Sequence, residues 1–271
     1  MFLADYHMHT NFSPDAHDPM LDMALAAADR GINELCFTDH VETCAQSPYV
    51  TDQFPPFTQW DELRETFEDV KSKTAGRLDV HLGVELNDPH FVPDVAKEIY
   101  ADPSLDFIIG SIHNIRDTDD FCYLEYTSLE YCRSLLEQYF KEYIELARTE
   151  CFDVLGHLGY VQRYLARQGI TYDTMEFEPL IRELFNITVG MGKGIELNTS
   201  TMHDALGRLI PDVSVIELYR QCGGEIVTVG SDAHYVCHAG YGIADAYELL
   251  RTLGFKYVST YRAHEPRFIK L

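Results

Sequence analysis

Residues 3–40 read LADYHMHTNFSPDAHDPMLDMALAAADRGINELCFTDH. The two ends of this stretch, residues 3–9 and 34–40, are short runs in which apolar side chains dominate or alternate, the pattern of a strand with a buried face. Between them, residues 20–30 return apolar side chains at helical spacing and stop at Arg30-Gly31, where glycine permits the left-handed turn that ends a helix. A strand, a helix and a second strand in this order pair in parallel, with the helix packed over the sheet.

The unit repeats along the chain. Strand-like runs recur at residues 78–86, 107–113, 153–157, 194–199, 225–231 and 256–259, and helical periodicity at 60–75, 92–100, 129–151, 177–191, 213–222 and 243–253. About seven β-α units predict a parallel sheet covered by helices, open or closed into a barrel. With 271 residues and no Gly/Ser-rich or Pro-rich linker, residues 1–271 are expected to form one domain of α/β-barrel size. Residues 41–59, with three prolines, and residues 116–127, rich in Asp and Tyr, exceed a tight connection and are expected to be loops over a site. Tyr126, Tyr131, Tyr139, Phe140 and Tyr143 fall at helical spacing and are read as core.

Composition narrows the class. An apolar share of 46% with 24% charged residues is that of a water-soluble globular protein, which excludes collagen-like and disordered chains. The formal charge of −23 argues against tracking along nucleic acid or binding anionic lipid, although divalent ions in a pocket would invert the field locally. No run of about 18 apolar residues or signal-like N-terminus is present. The seven cysteines are odd in number and contain no C-x-x-C, as in a reduced protein, so a cytoplasmic location is expected.

Polar residues gather at the ends of the strand-like runs: His7 and His9, Asp39 and His40, Glu85, His113, His157, Asn198, Asp232 and His234. Ligands of parallel α/β folds bind at the carboxyl ends of strands, so these groups converge on one cavity. A lone histidine in such a place is more often a satisfied buried side chain, but six of the twelve histidines occupy these positions. His7-x-His9 and Asp232-x-His234 each put two donors on one face, because strand side chains alternate with period two. Imidazole and carboxylate without thiolate suit Zn, Mn or Fe(II) better than Mg or Ca.

The series Asp5-Tyr-His7-Met-His9-Thr-x-x-Ser13-Pro-Asp15, Thr38-Asp39-His40, Glu85, Ser111-x-His113, His157 and Ser231-Asp232-x-His234 resembles the motifs of the PHP (polymerase and histidinol phosphatase) superfamily, in order and over nearly the whole chain. Spacing and size are most similar to its histidinol-phosphate phosphatase branch. The resemblance implies a distorted (β/α)7 barrel with two to three divalent metal ions (Zn, Mn or Fe) at the C-terminal ends of the strands. It further implies that His7, His9, Glu85 and Asp232 hold one ion and that Asp15, His40 and His234 hold a second. Glu85 would bridge to a third ion bound by His113 and His157. Position 15, His in some branches, is Asp here and is still read as a ligand.

The activity so implied is hydrolysis of a small phosphomonoester, L-histidinol phosphate first, in histidine biosynthesis. His40, Asp15 and His234 are the candidates for handling protons. A phosphate dianion suits a guanidinium, and Arg163, six residues after His157 at the start of an expected βα loop, matches an arginine that histidinol phosphatases use there; Arg116 is a second candidate. In that branch an arginine often follows the asparagine equivalent to Asn198 within a few residues, whereas here the nearest is Arg208, with His203 as a partial substitute. An alternative keeps the metal site and acts on a nucleotide or an oligonucleotide end; a third reading is a non-enzymatic, metal-stabilised module. Asp5 and Asp39 are expected to orient ligand imidazoles. His17, His81, His90, His238 and His264 are expected in loops or on the surface, with His17 and His238 near ligands.

Overall fold

The computed structural model describes residues 1–43 and 59–271. Cys44 and most of the expected loop at 41–59 lie outside the described residues. Strands β1 (Ala4–Asp5), β2 (Glu34–Glu42), β3 (Asp79–Asn87), β4 (Phe107–Ser111), β5 (Val154–Leu155), β6 (Gly194–Asn198) and β7 (Val227–Gly230) form one parallel sheet in that order. The sheet then curls back on itself. Tyr6 N donates to Val229 O at 2.8 Å, Asp232 N to His7 O at 2.7 Å and His9 N to Ala233 O at 3.0 Å, which brings the first strand against the last. The expected (β/α)7 barrel is the fold found.

Helices α1 (Met20–Asp29), α2 (Trp60–Thr74), α3 (Pro93–Tyr100), α4 (Leu129–Ala147), α5 (Val161–Arg167), α6 (Glu178–Gly190), α7 (Val213–Gln221) and α8 (Ile243–Thr252) cover the outside. Their apolar stripes explain why. In α1, Met20, Met23, Ala24 and Ala27 are buried, and in α8, Ile243, Ala246, Tyr247 and Leu250, both at the i, i+3, i+4, i+7 spacing of a one-sided helix. Each large side chain so buried contributes about 1.5–3 kcal/mol. Helix α4 opens on Ser128, whose hydroxyl accepts from Tyr131 N at 3.1 Å, and presents Tyr139, Phe140 and Tyr143 to the core. Of the aromatics read as core, Tyr131 is the exception, at 36% exposure. None of the described helices is long and apolar enough to cross a membrane.

The expected strand at 256–259 exists but does not join the barrel. It becomes β8 (Tyr257–Arg262), paired antiparallel with β9 (Glu265–Lys270) through the two-residue turn Ala263-His264, where φ is 48° and 64°. Positive φ at both turn residues is the twist that suits a tight hairpin. The hairpin is pinned to the N-terminal ends of β4 and β5: Ala263 N donates to Asp106 Oδ1 at 2.9 Å, and His264 Nδ1 meets Asp153 Oδ2 at 2.8 Å. Tyr261 N donates to the Tyr6 hydroxyl at 2.9 Å. Tyr261 packs with Tyr6, Cys36, Phe107, Ile109 and Val154 in an apolar cluster of its own, with Phe107 edge-on to Tyr6 at 5.1 Å. This plug closes one end of the barrel and leaves the other to polar side chains.

Period-two alternation carries the interior from apolar to polar along each strand. Cys36 is followed by Thr38 and His40, Gly83 by Glu85, and Gly194 by Glu196 and Asn198. The polar layer is tight at Gly230, where a Cβ would overlap both Glu196 Oε1 and His7 Cβ. Gly230→Ala is therefore expected to lower stability in urea by about 1–3 kcal/mol, as overpacking does, and to reduce bound metal by displacing His7. Wild-type stability and metal content together would refute that close approach.

Candidate metal centre

The strand ends deliver the donors to one place. His7 and His9 follow β1, His40 and Glu85 lie near the ends of β2 and β3, His113 and His157 follow β4 and β5, and Asp232 and His234 follow β7. Asp15 enters from the loop before α1. Glu85, fully buried, sits at the centre. Its Oε2 lies 3.2 Å from His7 Nε2, 3.4 Å from His9 Nε2 and 3.0 Å from His40 Nδ1. Its Oε1 lies 2.7 Å from His157 Nε2 and 3.3 Å from His113 Nε2. Asp232 Oδ1 is 3.3 Å from His9 Nε2, and Asp15 spans His234 at 3.1 Å and His40 at 3.6 Å. All nine groups expected as ligands converge here.

Outer hydrogen bonds fix which imidazole nitrogens face the centre. Ser13 Oγ donates its one proton to Asp39 Oδ1 at 2.6 Å, so it accepts from His9 Nδ1 at 3.0 Å. His7 Nδ1 donates to Glu196 Oε1 at 2.6 Å, and His234 Nδ1 to the Asp232 carbonyl at 3.1 Å. In neutral rings with these tautomers, the Nε2 lone pairs point inward. Those of His7 and His9 then face each other at 3.0 Å, and that of His234 faces a carboxylate oxygen. Acceptors arranged so repel one another unless a cation lies among them.

The electrostatics agree. Burial opposes charge on every group, but at His7 it is outweighed by Glu196, Asp232 and Glu85, which hold the imidazole pKa well above its ordinary value. At His40 it is outweighed by Asp15 and Glu85. Against the same burial, Glu85 lifts His113 to about 9. His9 is the exception: burial and the fields of His234 and His40 push it well down. The cluster demands positive charge, supplied by protons or by metal ions.

The donors fit metal ions. Two nitrogens on one tetrahedral zinc at about 2.0–2.1 Å stand roughly 3.3 Å apart, and the Nε2 pairs His7–His9 and His113–His157 are separated by 3.0 and 3.4 Å. Donor atoms cluster as His7, His9 and Glu85, as His9, His40 and His234, as His7, His157 and Asp232, and as Glu85, His113 and His157. Glu42 forms a further group with His40 and His113. Glu85 Oε2 and Asp15 Oδ1 are buried without a hydrogen-bond donor, as oxygens reserved for a cation would be.

Two supporting residues, Glu196 and Ser200, stand outside the strand-end pattern of the sequence. Glu196, in the middle of β6, holds His7 and also accepts from His157 N at 2.7 Å. A buried acid inside a parallel strand, two residues before Asn198, was the available signal. Asn198 Nδ2 and Ser200 Oγ donate to Asp232 Oδ2 at 3.3 and 3.1 Å. Asp39 steers His9 through Ser13, whereas Asp5 accepts from the backbone of Ser231 at 2.8 Å and Gly240 at 3.2 Å and so fixes the β7 loop rather than an imidazole.

Above the cluster opens a cavity of ≈ 320 Å³. One wall carries Tyr160, Arg163, Tyr164 and Arg167 from α5 and the residue before it; the other carries Ser200, His203, Tyr235 and His238. His203 and His238 stack with centroids 4.0 Å apart. Arg163 thus reaches the cavity, on a helix where a loop was expected. Arg116 is placed elsewhere: its guanidinium lies over the Phe91 ring at 4.3 Å and lines a separate groove with His90 and Lys97. Arg208 also turns away, to Asp212 and Gln162. His17 is exposed, but His81, His90 and His264 are paired with Asp106, Glu142 and Asp153.

Metal ions and protons compete for these nitrogens. An ion at 100 times its Kd adds about 2.7 kcal/mol, and 1 kcal/mol moves Tm by about 2–4 °C in a protein of this size. Chelation at pH 8 is therefore expected to lower Tm by at least about 5 °C, and the difference to shrink toward pH 6. A Tm indifferent to chelator at both pH values would exclude ions from the cluster.

Comparison with known proteins places this geometry. The family model described as PHP domain matches residues 5–200. The chain is 24% identical over 262 residues to a histidinol-phosphatase of Lactococcus lactis, covering 95% of this chain and 93% of that one. It is 26% identical over 270 residues to a probable phosphatase of Photobacterium profundum, covering 99% and 92%. Among solved structures, the histidinol phosphate phosphatase of Lactococcus lactis complexed with zinc, L-histidinol and phosphate superposes with a TM-score of 0.80 at 22% identity, over 98% of each chain. The structure of a candidate histidinol phosphatase from Listeria monocytogenes gives 0.73 at 20% identity, over 89% of this chain and 99% of that one. With the family model spanning most of the chain and the expected donors gathered at the strand ends, this protein belongs to the PHP domain family.

Proposed function

We propose that this protein is a metal-dependent phosphomonoesterase that hydrolyses L-histidinol phosphate to L-histidinol and inorganic phosphate, a step of histidine biosynthesis. The observation that carries this reading is a single cavity with an imidazole-carboxylate metal cluster as its floor and a free guanidinium edge, that of Arg163, on its wall. Relatives named histidinol-phosphatase align over almost the whole chain, and the similar Lactococcus lactis structure holds zinc, L-histidinol and phosphate. The described cysteines are free thiols, in keeping with the expected cytoplasmic setting.

Two to three Zn, Mn or Fe ions would be held by His7, His9, Asp15, His40, Glu85, His113, His157, Asp232 and His234. When bound, they supply the Lewis acidity that brings water toward hydroxide near neutral pH and neutralises charge on the phosphate oxygens. The chain's own contribution is position and proton handling. Arg163 Nε is occupied by Asp204 Oδ2 at 3.2 Å, which leaves its two Nη groups to face the phosphate. Asp15 and His234 are the most open of the nine, with side chains 30% and 22% exposed, so a proton can pass between Asp15 Oδ2 or His234 Nε2 and the leaving alkoxide. His40, 4% exposed, stands behind them. The cavity suits a small monoester, and the charge of −23 opposes a polynucleotide.

The test is elemental analysis of chelator-free protein together with phosphate release from L-histidinol phosphate, other phosphomonoesters and 3′,5′-bisphosphates. Bound metal with clear preference for histidinol phosphate is expected; preference for a nucleotide would overturn the substrate. His9→Ala and Asp232→Ala are each expected to lose metal and turnover together, and retained activity in either would break the ligand assignment. Arg163→Ala should raise KM roughly 10-fold or more, the worth of a hydrogen bond to a charged group, with metal content unchanged. An unaltered KM would remove Arg163 from the phosphate site.

A further inference from the structure

Asp204 ties two guanidiniums together at the mouth of the cavity. Its Oδ2 accepts from Arg163 Nε at 3.2 Å and from Arg167 Nη2 at 3.3 Å, while its Oδ1 is held by Leu206 N at 2.8 Å. The two arginines are one turn apart on α5, the i, i+4 spacing that puts side chains on the same face. Both lie over the Tyr164 ring, at 5.9 and 5.0 Å, within reach of a cation–π attraction. Among the described residues, Asp204 is the sole hydrogen-bonding partner of either guanidinium.

Two like charges held on one face repel, and Asp204, the one carboxylate hydrogen-bonded to them, carries a single negative charge. The remaining positive charge has its unused N–H groups at a cavity whose floor is otherwise acidic and imidazole side chains. Such an arrangement is stable when an anion completes it. Resting on the phosphomonoesterase reading, we propose that Arg163 and Arg167 form one anion clamp, with Asp204 as its positioning residue, and that Arg167 makes the site select a terminal phosphomonoester over a phosphodiester. A monoester near neutral pH carries two charges on three non-bridging oxygens. A diester has esterified one of those oxygens and lost one charge, so it has less to offer a second guanidinium.

The variants to compare are Arg167→Gln, Arg167→Lys and Asp204→Asn, in zinc-loaded protein. Arg167 is half exposed, so its replacement leaves the core intact. The readouts are the Kd of inorganic phosphate by calorimetry and the kinetics of histidinol phosphate, p-nitrophenyl phosphate and bis-p-nitrophenyl phosphate. For Arg167→Gln, the phosphate Kd and the monoester KM should each rise about tenfold, with kcat and diester kcat/KM within about twofold. Arg167→Lys should recover part of the loss. Asp204→Asn should weaken phosphate binding about threefold or more if the carboxylate positions the clamp. If it only neutralises charge, phosphate would bind more tightly, and that result overturns its role. A phosphate Kd unchanged in Arg167→Gln overturns the clamp, and with wild-type histidinol phosphate turnover it does so while the substrate reading stands. The full Arg167 effect on p-nitrophenyl phosphate, with no turnover of histidinol phosphate, overturns the substrate and leaves the clamp.

Discussion

Two imidazole nitrogens 3.0 Å apart, each with its proton committed to the opposite side of its ring, are the constraint around which the structure is built. Glu196 commits the proton of His7, and the Ser13–Asp39 pair commits that of His9. Turning either ring away would break its buried N–H hydrogen bond, at a cost of about 1–3 kcal/mol. The convergence therefore persists only if positive charge occupies the centre. Opposite unit charges 4 Å apart are worth about 4 kcal/mol at an effective dielectric of 20, so Glu85, which meets five imidazoles, is the group with most to gain from that charge.

Barrel closure is what makes the convergence possible. The backbone bonds that join residues 6–9 to the β7 side place His7 and His9 beside Asp232, although these residues are far apart in sequence. Closure leaves no room for a side chain at Gly230, because Glu196 and His7 fill the space a Cβ would take. At the opposite end, the β8–β9 hairpin and the Tyr6–Phe107–Tyr261 cluster seal the interior, so the polar layer is open to solvent from one side only. Asp232, at φ 52°, adopts the left-handed backbone that Asp tolerates better than most residues, and this aims its carboxylate back at β1.

The strand-end donors were legible because His-x-His and Asp-x-His declare their common face by period two alone. Glu196 was not, since it stands within its strand and its role arises from closeness to His7, 189 residues away in sequence. Helix α5, seven residues long, gives too few turns for periodicity to register, so the segment holding Arg163 reads as a loop although it is helical. Alternation in β8 looks the same whether a strand pairs in parallel or folds into a hairpin. The turn Ala263-His264 lacks the Gly or Asn that usually marks one, and the anchoring Asp106 and Asp153 lie far off in sequence. Arg116, three residues after His113, shows that chain proximity is no guide past a strand end: Asp117 takes φ 63° and the guanidinium settles on Phe91.

Burial falls steadily across the cluster, and that gradient divides its labour. His7, His9 and Glu85 are sealed at 0% exposure, while Asp15 and His234 face the cavity. With no surface open to solvent, the sealed groups serve to hold charge in place. Groups at the rim keep access to water and can cycle between protonation states. The same rim meets Arg163 and Arg167, which place positive charge at an opening where an anion can enter. A net charge of −23 then repels polyanions from the rest of the surface while leaving that opening attractive to a single small phosphate.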